Sequence, residues 1–247
     1  MDRLLKIISQ SIKAVRAFKL RTFFCLLSVA LGIASITIIV ASVEGAYKRA
    51  FEMVARFGPD SLLVFSGGEE ARARGERQKT ITFDDLEAVR QQFDSAYLAV
   101  PMFSASSINV SYMDKKYQTQ VIGSTSDYTR AWTWPVIQGS DFTEEDTKGL
   151  ANVGLIGQHL LNELFGDKDP VGKYVLVKGI PVQIVGVLSE RGASISGSTL
   201  DNRIVMPITT VMRKIRNETK YISAFRIRFL DQENLYVHAD RLREFLR

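Results

Sequence analysis

An α+β chain with a single N-terminal transmembrane helix is predicted from three features of the sequence. Phe23 to Val43 runs for 21 residues without Asp, Glu, Lys, Arg or His. Beyond it, short β-branched runs of period two recur between Tyr97 and Leu188, and amphipathic helical segments stand among them without a regular βα alternation.

The uncharged run sets the anchor. At 1.5 Å per residue it forms a helix of roughly 30 Å, the thickness of a bilayer's hydrocarbon. Ala30, Gly32, Ala34 and Ser35 give it a small-residue face, open equally to another membrane helix or to lipid. Six basic residues precede it (Arg3, Lys6, Lys13, Arg16, Lys19 and Arg21) against the one acid Asp2, which puts residue 1 in the cytoplasm. This flank carries the whole formal charge of +5, and the remainder balances. The pI near 9.3 therefore reflects membrane topology, and a nucleic-acid groove is set aside. A cleaved signal peptide is disfavoured, because its apolar region usually has about 7 to 15 residues.

Residues 1–21 read as a cytoplasmic amphipathic helix lying on the inner leaflet, with Leu4, Ile7, Ile8, Ile12, Val15 and Phe18 on one face. Residues 22–57 read as the transmembrane helix and a stalk, since Tyr47, Phe51 and Val54 keep a helical rhythm until Gly58-Pro59 stops it. The sole cysteine, Cys25, lies in the span and has no partner in the chain, so residues 58–247 must fold on a hydrophobic core.

Within that domain, Asp60 to Phe65 reads as a buried strand, followed by a charged loop from Glu69 to Lys79 that is read as solvated surface. Thr82 caps a helix with Asp85 at the third position, and Phe83, Leu86, Val89 and Phe93 form its buried face. Tyr97–Val100, Ser107–Tyr112 and Gln118–Gly123 read as three strands, the last two forming a hairpin around Asp114. Asn152–Ile156, Tyr174–Lys178 and Val182–Leu188 read as further strands, with a short helix at Gln158–Phe165. Ser223–Phe229 alternates as a half-exposed strand does, and Leu235, Ala239, Leu242, Phe245 and Leu246 supply a final helix with an apolar stripe.

Catalytic motifs fail one by one. His159 and His238 have no ligand-type neighbours at metal-binding spacing and read as surface or capping residues. Gly166 to Lys173 has five residues between its glycines and Tyr174 where a Walker motif needs Ser or Thr. Gly192 to Ser196 lacks the second glycine of a nucleophile elbow and reads as a loop. Asp84-Asp85 and Glu144-Glu145-Asp146 fall at helix starts, where capping explains them. The expectation is a protein without catalytic, cofactor-binding or metal-binding residues.

What remains is an ordered set: Val136–Thr143, Asn152–Gly157, Glu163-Leu164-Phe165-Gly166, Asp169-Pro170-Val171-Gly172-Lys173 and Val182–Leu188. In physical terms these residues build a corner. Gly166 takes a left-handed turn, Pro170 and Gly172 tighten the next turn, Lys173 stands exposed at a strand start, and Gly186 permits close backbone approach or a bulge. The set resembles the periplasmic core domain of MacB-like permeases, which belong to the type VII ABC transporters, and the resemblance extends over most of the chain. Its structural motif residues here are Leu164, Phe165, Gly166, Pro170, Gly172, Lys173 and Gly186.

The resemblance implies two subdomains. One is porter-like α/β, from residues 58–128 and 218–247, and the other is an inserted mixed β/α unit, residues 129–217. It also implies a bacterial inner-membrane location, with residues after about Glu44 in the periplasm. The function implied is a permease subunit, or its N-terminal half, that transmits ATP-driven movement from the cytoplasm for export, efflux or envelope protein handling. Partners follow: an ABC ATPase subunit or domain that hydrolyses ATP, a second permease subunit in a homo- or heterodimer, and a periplasmic adaptor protein or lipoprotein. Three further spans follow the domain in that family and are not in this sequence, which leaves a fragment, a split-gene half or a single-span relative as expectations. The rival class is a single-pass membrane-anchored extracytoplasmic sensor or binding module with no transport role.

Overall fold

The computed structural model describes residues 17–68, 78–192, 199–231 and 234–246, without the side chains of 49–57. The leader helix expected over 1–21, most of the 69–79 loop and most of the 192–196 loop lie outside the described residues. The chain divides into two compact units, 1–55 and 56–247.

The first unit is the larger part of α1 (Lys19–Phe57), a helix of 39 residues. Among the described residues one stretch, Lys19–Lys48, is long and apolar enough to cross a membrane. Ile36 and Ile38, on nearly opposite sides of the helix, are each 65% exposed, so the apolar surface runs all round, as a lipid-facing helix requires. The hydroxyls of Ser28, Ser35 and Thr37 donate to the carbonyls of Phe24, Leu31 and Ile33 at 2.8, 2.7 and 2.9 Å. Each polar group is thus satisfied within the helix, which removes the cost of carrying it through hydrocarbon.

The second unit begins with β1 (Ser61–Phe65), β2 (Ile81–Thr82), α2 (Phe83–Gln92) and β3 (Ala96–Tyr112). Next come β4 (Lys115–Ser124), α3 (Tyr128–Ala131), β5 (Val136–Gly139), α4 (Glu144–Lys148), β6 (Val153–Ile156) and α5 (Gln158–Leu164). The remainder is β7 (Tyr174–Val177), β8 (Ile180–Leu188), β9 (Arg203–Pro207), α6 (Ile208–Thr210), a π-helical turn (Val211–Arg216), β10 (Tyr221–Ile222), β11 (Ala224–Phe229) and α7 (Leu235–Phe245). Helix and strand are mixed, as expected.

The two strands expected over 97–112 are one strand of 17 residues, β3. Its first half, Ala96–Met102, pairs antiparallel with β11, which pairs antiparallel with β1, making an open three-stranded layer. Its second half pairs with β4 and β7. The pairing β3-β4-β9-β6-β8-β7 then returns to β3 and closes a six-stranded ring, with β5 added along β8. The register shifts between Ala105 and Ile108, where Ser107 has φ 57°. Such a bulge bends the strand, and it falls where β3 enters the ring.

The ring and the open layer each have a core, and a third cluster gathers Tyr128, Trp132, Trp134, Phe142, Leu155 and Leu188. Val110, Val121, Ile156, Val175, Val182, Ile184, Ile204 and Met206 fill the ring, with Leu160, Leu164 and Phe165 packed against them from α5 and its end. On the open layer, Phe225, Ile227 and Phe229 of β11 meet Leu86, Val89 and Phe93 of the α2 segment and Leu242 of α7. The α6 and π-turn segment serves both cores: Ile208 and Met212 lie in one, Val211 and Ile215 in the other.

Several expectations are corrected here. β1 is a half-buried edge strand, because it has β11 on one side and no described strand on the other. Phe83 is 36% exposed, since only Leu86, Val89 and Phe93 point at β11. β11 is covered on both faces, as the centre of its layer. Phe245 remains 43% exposed, although its ring edge meets Phe93 at 6.1 Å. The cap at Thr82 stands as expected: its hydroxyl accepts from the Asp85 amide at 3.2 Å, while the Asp85 carboxylate accepts from the Thr82 amide at 2.8 Å. Thr143 and Asp146 repeat that reciprocal pair at the start of α4.

Candidate functional site

Two places in the domain concentrate unusual chemistry. The first starts where the chain leaves α1. Gly58 has φ 80°, and its carbonyl accepts both the amide (3.3 Å) and the hydroxyl (2.8 Å) of Ser61 in a tight turn. The turn holds Asp60, which is 4% exposed. Its carboxylate receives a two-pronged bond from Arg228, Nε to Oδ2 at 2.9 Å and Nη2 to Oδ1 at 2.8 Å, and the Tyr97 hydroxyl at 2.6 Å. Burial on its own would raise the Asp60 carboxyl's pKa, but the hydrogen bonds from Arg228 and Tyr97 outweigh it and hold the group below the usual carboxylate value. Arg228 also donates through Nη1 to the Arg130 carbonyl at 2.7 Å. One guanidinium therefore ties β1's start and β11 to α3.

Beside it lies a layer of arginines and indoles. Arg226, 4% exposed, donates to the Ser61 hydroxyl at 2.6 Å and sits 5.4 Å from the centre of the Trp132 ring. Burial, with help from the neighbouring charges of Arg191 and Arg228, lowers its pKa to about 10. Arg191 and Arg203 lie 4.6 and 5.0 Å from the centre of the Trp134 ring. The Trp134 indole donates to the Ser189 carbonyl at 2.6 Å, and Arg191 donates to the carbonyls of Trp132 and Thr133. Indole faces attract cations most strongly where water is excluded, so this layer joins the arginine face of β11 to the 128–134 turn and to the chain after β8.

The second place is the corner that the sequence singles out. Leu164 and Phe165 are buried in the ring's core, Phe165 stacked on Tyr112 at 4.1 Å. Gly166 and Gly172 have φ 62° and 79°, where a side chain would be strained. The Pro170 carbonyl accepts the Lys173 amide at 3.0 Å, and the backbones of Gly172 and Lys173 exchange bonds with Ile184, each at 2.8 Å. The Lys173 side chain is exposed. Asp169 Oδ1 accepts the Val171 amide and the Gln138 side chain, which ties the corner to β5. At Gly186 a Cβ would come 2.5 Å from the Ser140 carbonyl oxygen, and the register against β6 slips beside it, so close approach and a bulge coincide. The structure thus brings all seven motif residues to one region around β7 and β8.

The histidines differ from the expectation in different ways. His159 is half-buried and bonded to the Tyr117 hydroxyl at 2.9 Å. His238 is buried and stacked flat on Phe229 at 4.4 Å, because α7 turns it toward β11. His238 is thus a core residue, whereas His159 keeps part of its surface exposed. Among the described residues no group of three or more His, Cys, Asp or Glu side chains stands where it would hold a metal. Sequence reasoning passed over Asp60, Tyr97, Trp132, Trp134, Arg191, Arg226 and Arg228. The available signal was the pair of arginines at alternate positions of an otherwise apolar strand.

Fold and site together define a membrane-anchored α+β domain built on a closed strand ring. The profile of the MacB-like periplasmic core domain matches residues 22–243, and the chain belongs to that family. It is 33% identical over 200 residues to the macrolide export ATP-binding/permease protein MacB of Wolinella succinogenes, covering 80% of this chain and 31% of that protein. It is 30% identical over 189 residues to the pyoverdine export ATP-binding/permease protein PvdT of Pseudomonas aeruginosa, covering 76% and 28%. The chain spans about a third of the length of the curated relatives it matches. The crystal structure of the periplasmic region of MacB from Actinobacillus actinomycetemcomitans shares the fold, with TM-score 0.67, 20% identity, and 78% of this chain and 85% of that one covered. So does the extracellular domain of the ABC-type transporter YknZ from Gram-positive bacteria, with TM-score 0.59, 21% identity, and 75% and 92% covered.

Proposed function

We propose that this chain is a permease subunit of a MacB-like ABC transporter, or the N-terminal part of one, and that it transmits ATP-driven movement to its periplasmic domain for export or envelope protein handling. The observation that carries this reading is the family match over 22–243, which takes in both the apolar span and the domain. The basic flank before the span supports a cytoplasmic N-terminus, which leaves residues after about Glu44 in the periplasm of an inner-membrane protein. One uninterrupted helix from Lys19 to Phe57 supports a lever role, since backbone hydrogen bonding along it resists bending better than a jointed linker does.

On this reading ATP is hydrolysed by a separate ABC ATPase subunit or domain. A second permease subunit and a periplasmic adaptor or lipoprotein complete the assembly. The strand pairing supports two subdomains, with the seam inside β3 near Met102 and Phe103 where the partner changes from β11 to β4. The motif residues Leu164 to Lys173 and Gly186 act as the structural corner of the ring-shaped subdomain.

Purification of the full gene product from its native membranes tests the reading. An ABC ATPase recovered in fixed stoichiometry, together with a cytoplasmic signal from a reporter fused at residue 1, is the expected result. Recovery with no ATPase would contradict it and leave a membrane-anchored binding module as the better account.

A further inference from the structure

We infer that Asp60, Arg228 and Tyr97 form a clasp at the start of the domain, so that displacement of the chain at Gly58 reaches β11 and the 128–134 segment together. This rests on the transporter reading above and names the residues that would carry its movement inside the domain. The clasp lies wholly within the 56–247 unit and begins three residues after the last residue of α1.

The case rests on where a pull on residue 58 can go. β1 is an edge strand, and its ladder to β11 is five residues long. Ladder bonds of an edge strand yield one at a time when the strand is peeled from its end, whereas a two-pronged arginine-carboxylate pair must break as a unit. That pair stands at the end of the ladder nearest the helix, since Asp60 precedes the pair Ser61–Arg228 and its carbonyl accepts the Phe229 amide at 2.9 Å. The third arm of Arg228 reaches the Arg130 carbonyl, and Tyr97 brings in β3. One carboxylate therefore connects three separate elements to the turn at Gly58. The turn leaves no slack: a Cβ on Gly58 would lie 3.1 Å from Asp60 Oδ1 and 3.3 Å from Arg228 Nη2, and φ 80° already disfavours any side chain there.

Asp60 and Arg228 are positioning residues, so the test must separate coupling from folding and from ATP hydrolysis. Spin labels at the exposed positions Lys48 and Tyr174 of the full chain, in complex with its ATPase, report the distance change driven by ATP with vanadate. Arg228→Lys keeps the charge and loses the fork, and Asp60→Asn loses the charge and keeps the shape. Each is expected to leave ATPase turnover near wild type and the protein folded at the assay temperature, with the unfolding temperature lowered by only several degrees, while cutting the ATP-driven distance change to under half. Tyr97→Phe, which keeps the fork, should fall between these and wild type. The exchange of Asp60→Arg with Arg228→Asp should recover the response beyond either single change. A full response in both Arg228→Lys and Asp60→Asn overturns the clasp alone, as does loss of response only in variants that also fail to fold. A wild-type complex that shows no ATP-driven change overturns the transporter reading itself, and the clasp with it.

Discussion

The strand ring and the open layer solve the same packing problem by different means. The ring closes on itself through β3, β4, β9, β6, β8 and β7 and is filled by aliphatic side chains such as Val110, Ile156, Val182 and Ile204. Its geometry is over-determined, because each strand has a neighbour on both sides and the packing is shared among many residues. The open layer has an edge strand, β1, and two unlike faces. Phe225, Ile227 and Phe229 face the helices, whereas Arg226 and Arg228 face indoles, Ser61 and Asp60. There the geometry hangs on a few directional, charge-assisted contacts, and a single side chain can alter it without dissolving the fold.

Substitutions in the two regions should therefore behave differently, and the largest effect belongs to the ring. Ile184→Ala empties a fully buried site and should cost about 3 kcal/mol, within the usual range for such truncations. Urea unfolding of the detergent-purified protein, followed by tryptophan fluorescence, measures it; a loss under about 1 kcal/mol would argue against a tightly filled ring. Arg226→Ala removes a buried cation from the layer between Ser61 and Trp132 and should cost about 2 kcal/mol, whereas Arg226→Met, which refills the volume, should cost less. Equal costs for the two would mean that charge, and not filling, sets the stability at that position.

Asp60→Asn should cost about 2 kcal/mol at neutral pH, the scale of a hydrogen bond to a charged group. Its pH dependence sharpens the contrast. Because Asp60 is held below its usual value of 3.8, its contribution is complete above that value and drains away as pH falls through its lower folded value. The gap between wild type and Asp60→Asn should thus be flat near neutrality and close in acid, which unfolding curves at stepped pH will show. A gap that widens in acid would mean that the pairing with Arg228 does not set this behaviour. Smallest of all, Thr82→Ala should cost about 1 kcal/mol through the lost cap, and Phe83→Ala, half-exposed beside it, within about 0.5 kcal/mol. Reversed magnitudes in thermal unfolding would restore Phe83 to the core.

How much of this was legible in the sequence follows the same divide. The span announced itself by composition, and Thr82 with Asp85 announced a cap, because both signals are local. The ring's strands appeared as alternating runs, and the corner from Leu164 to Lys173 appeared as turn chemistry. Closure did not appear, since the pairing of Val110 with Val177 depends on contacts between distant segments. Nor did the seam: β3 reads as two strands, Tyr97–Val100 and Ser107–Tyr112, because Pro101 and the small residues Ser104 to Ser106 stand between them. The arginine face of β11 was misread for a physical reason. Alternation normally means one wet face, and the indole that covers Arg226 comes from Trp132, about ninety residues earlier. His238 was misread likewise, because its stacking on Phe229 is a tertiary contact.

Amide hydrogen exchange on the co-purified transporter complex, compared with and without ATP and vanadate, tests the central claim most directly. The account expects nucleotide to change protection at residues 58–65, 128–134 and 224–229 while leaving β6 and β8 of the ring unchanged. Protection that ignores nucleotide at all three segments, or that changes uniformly through the ring, would contradict it.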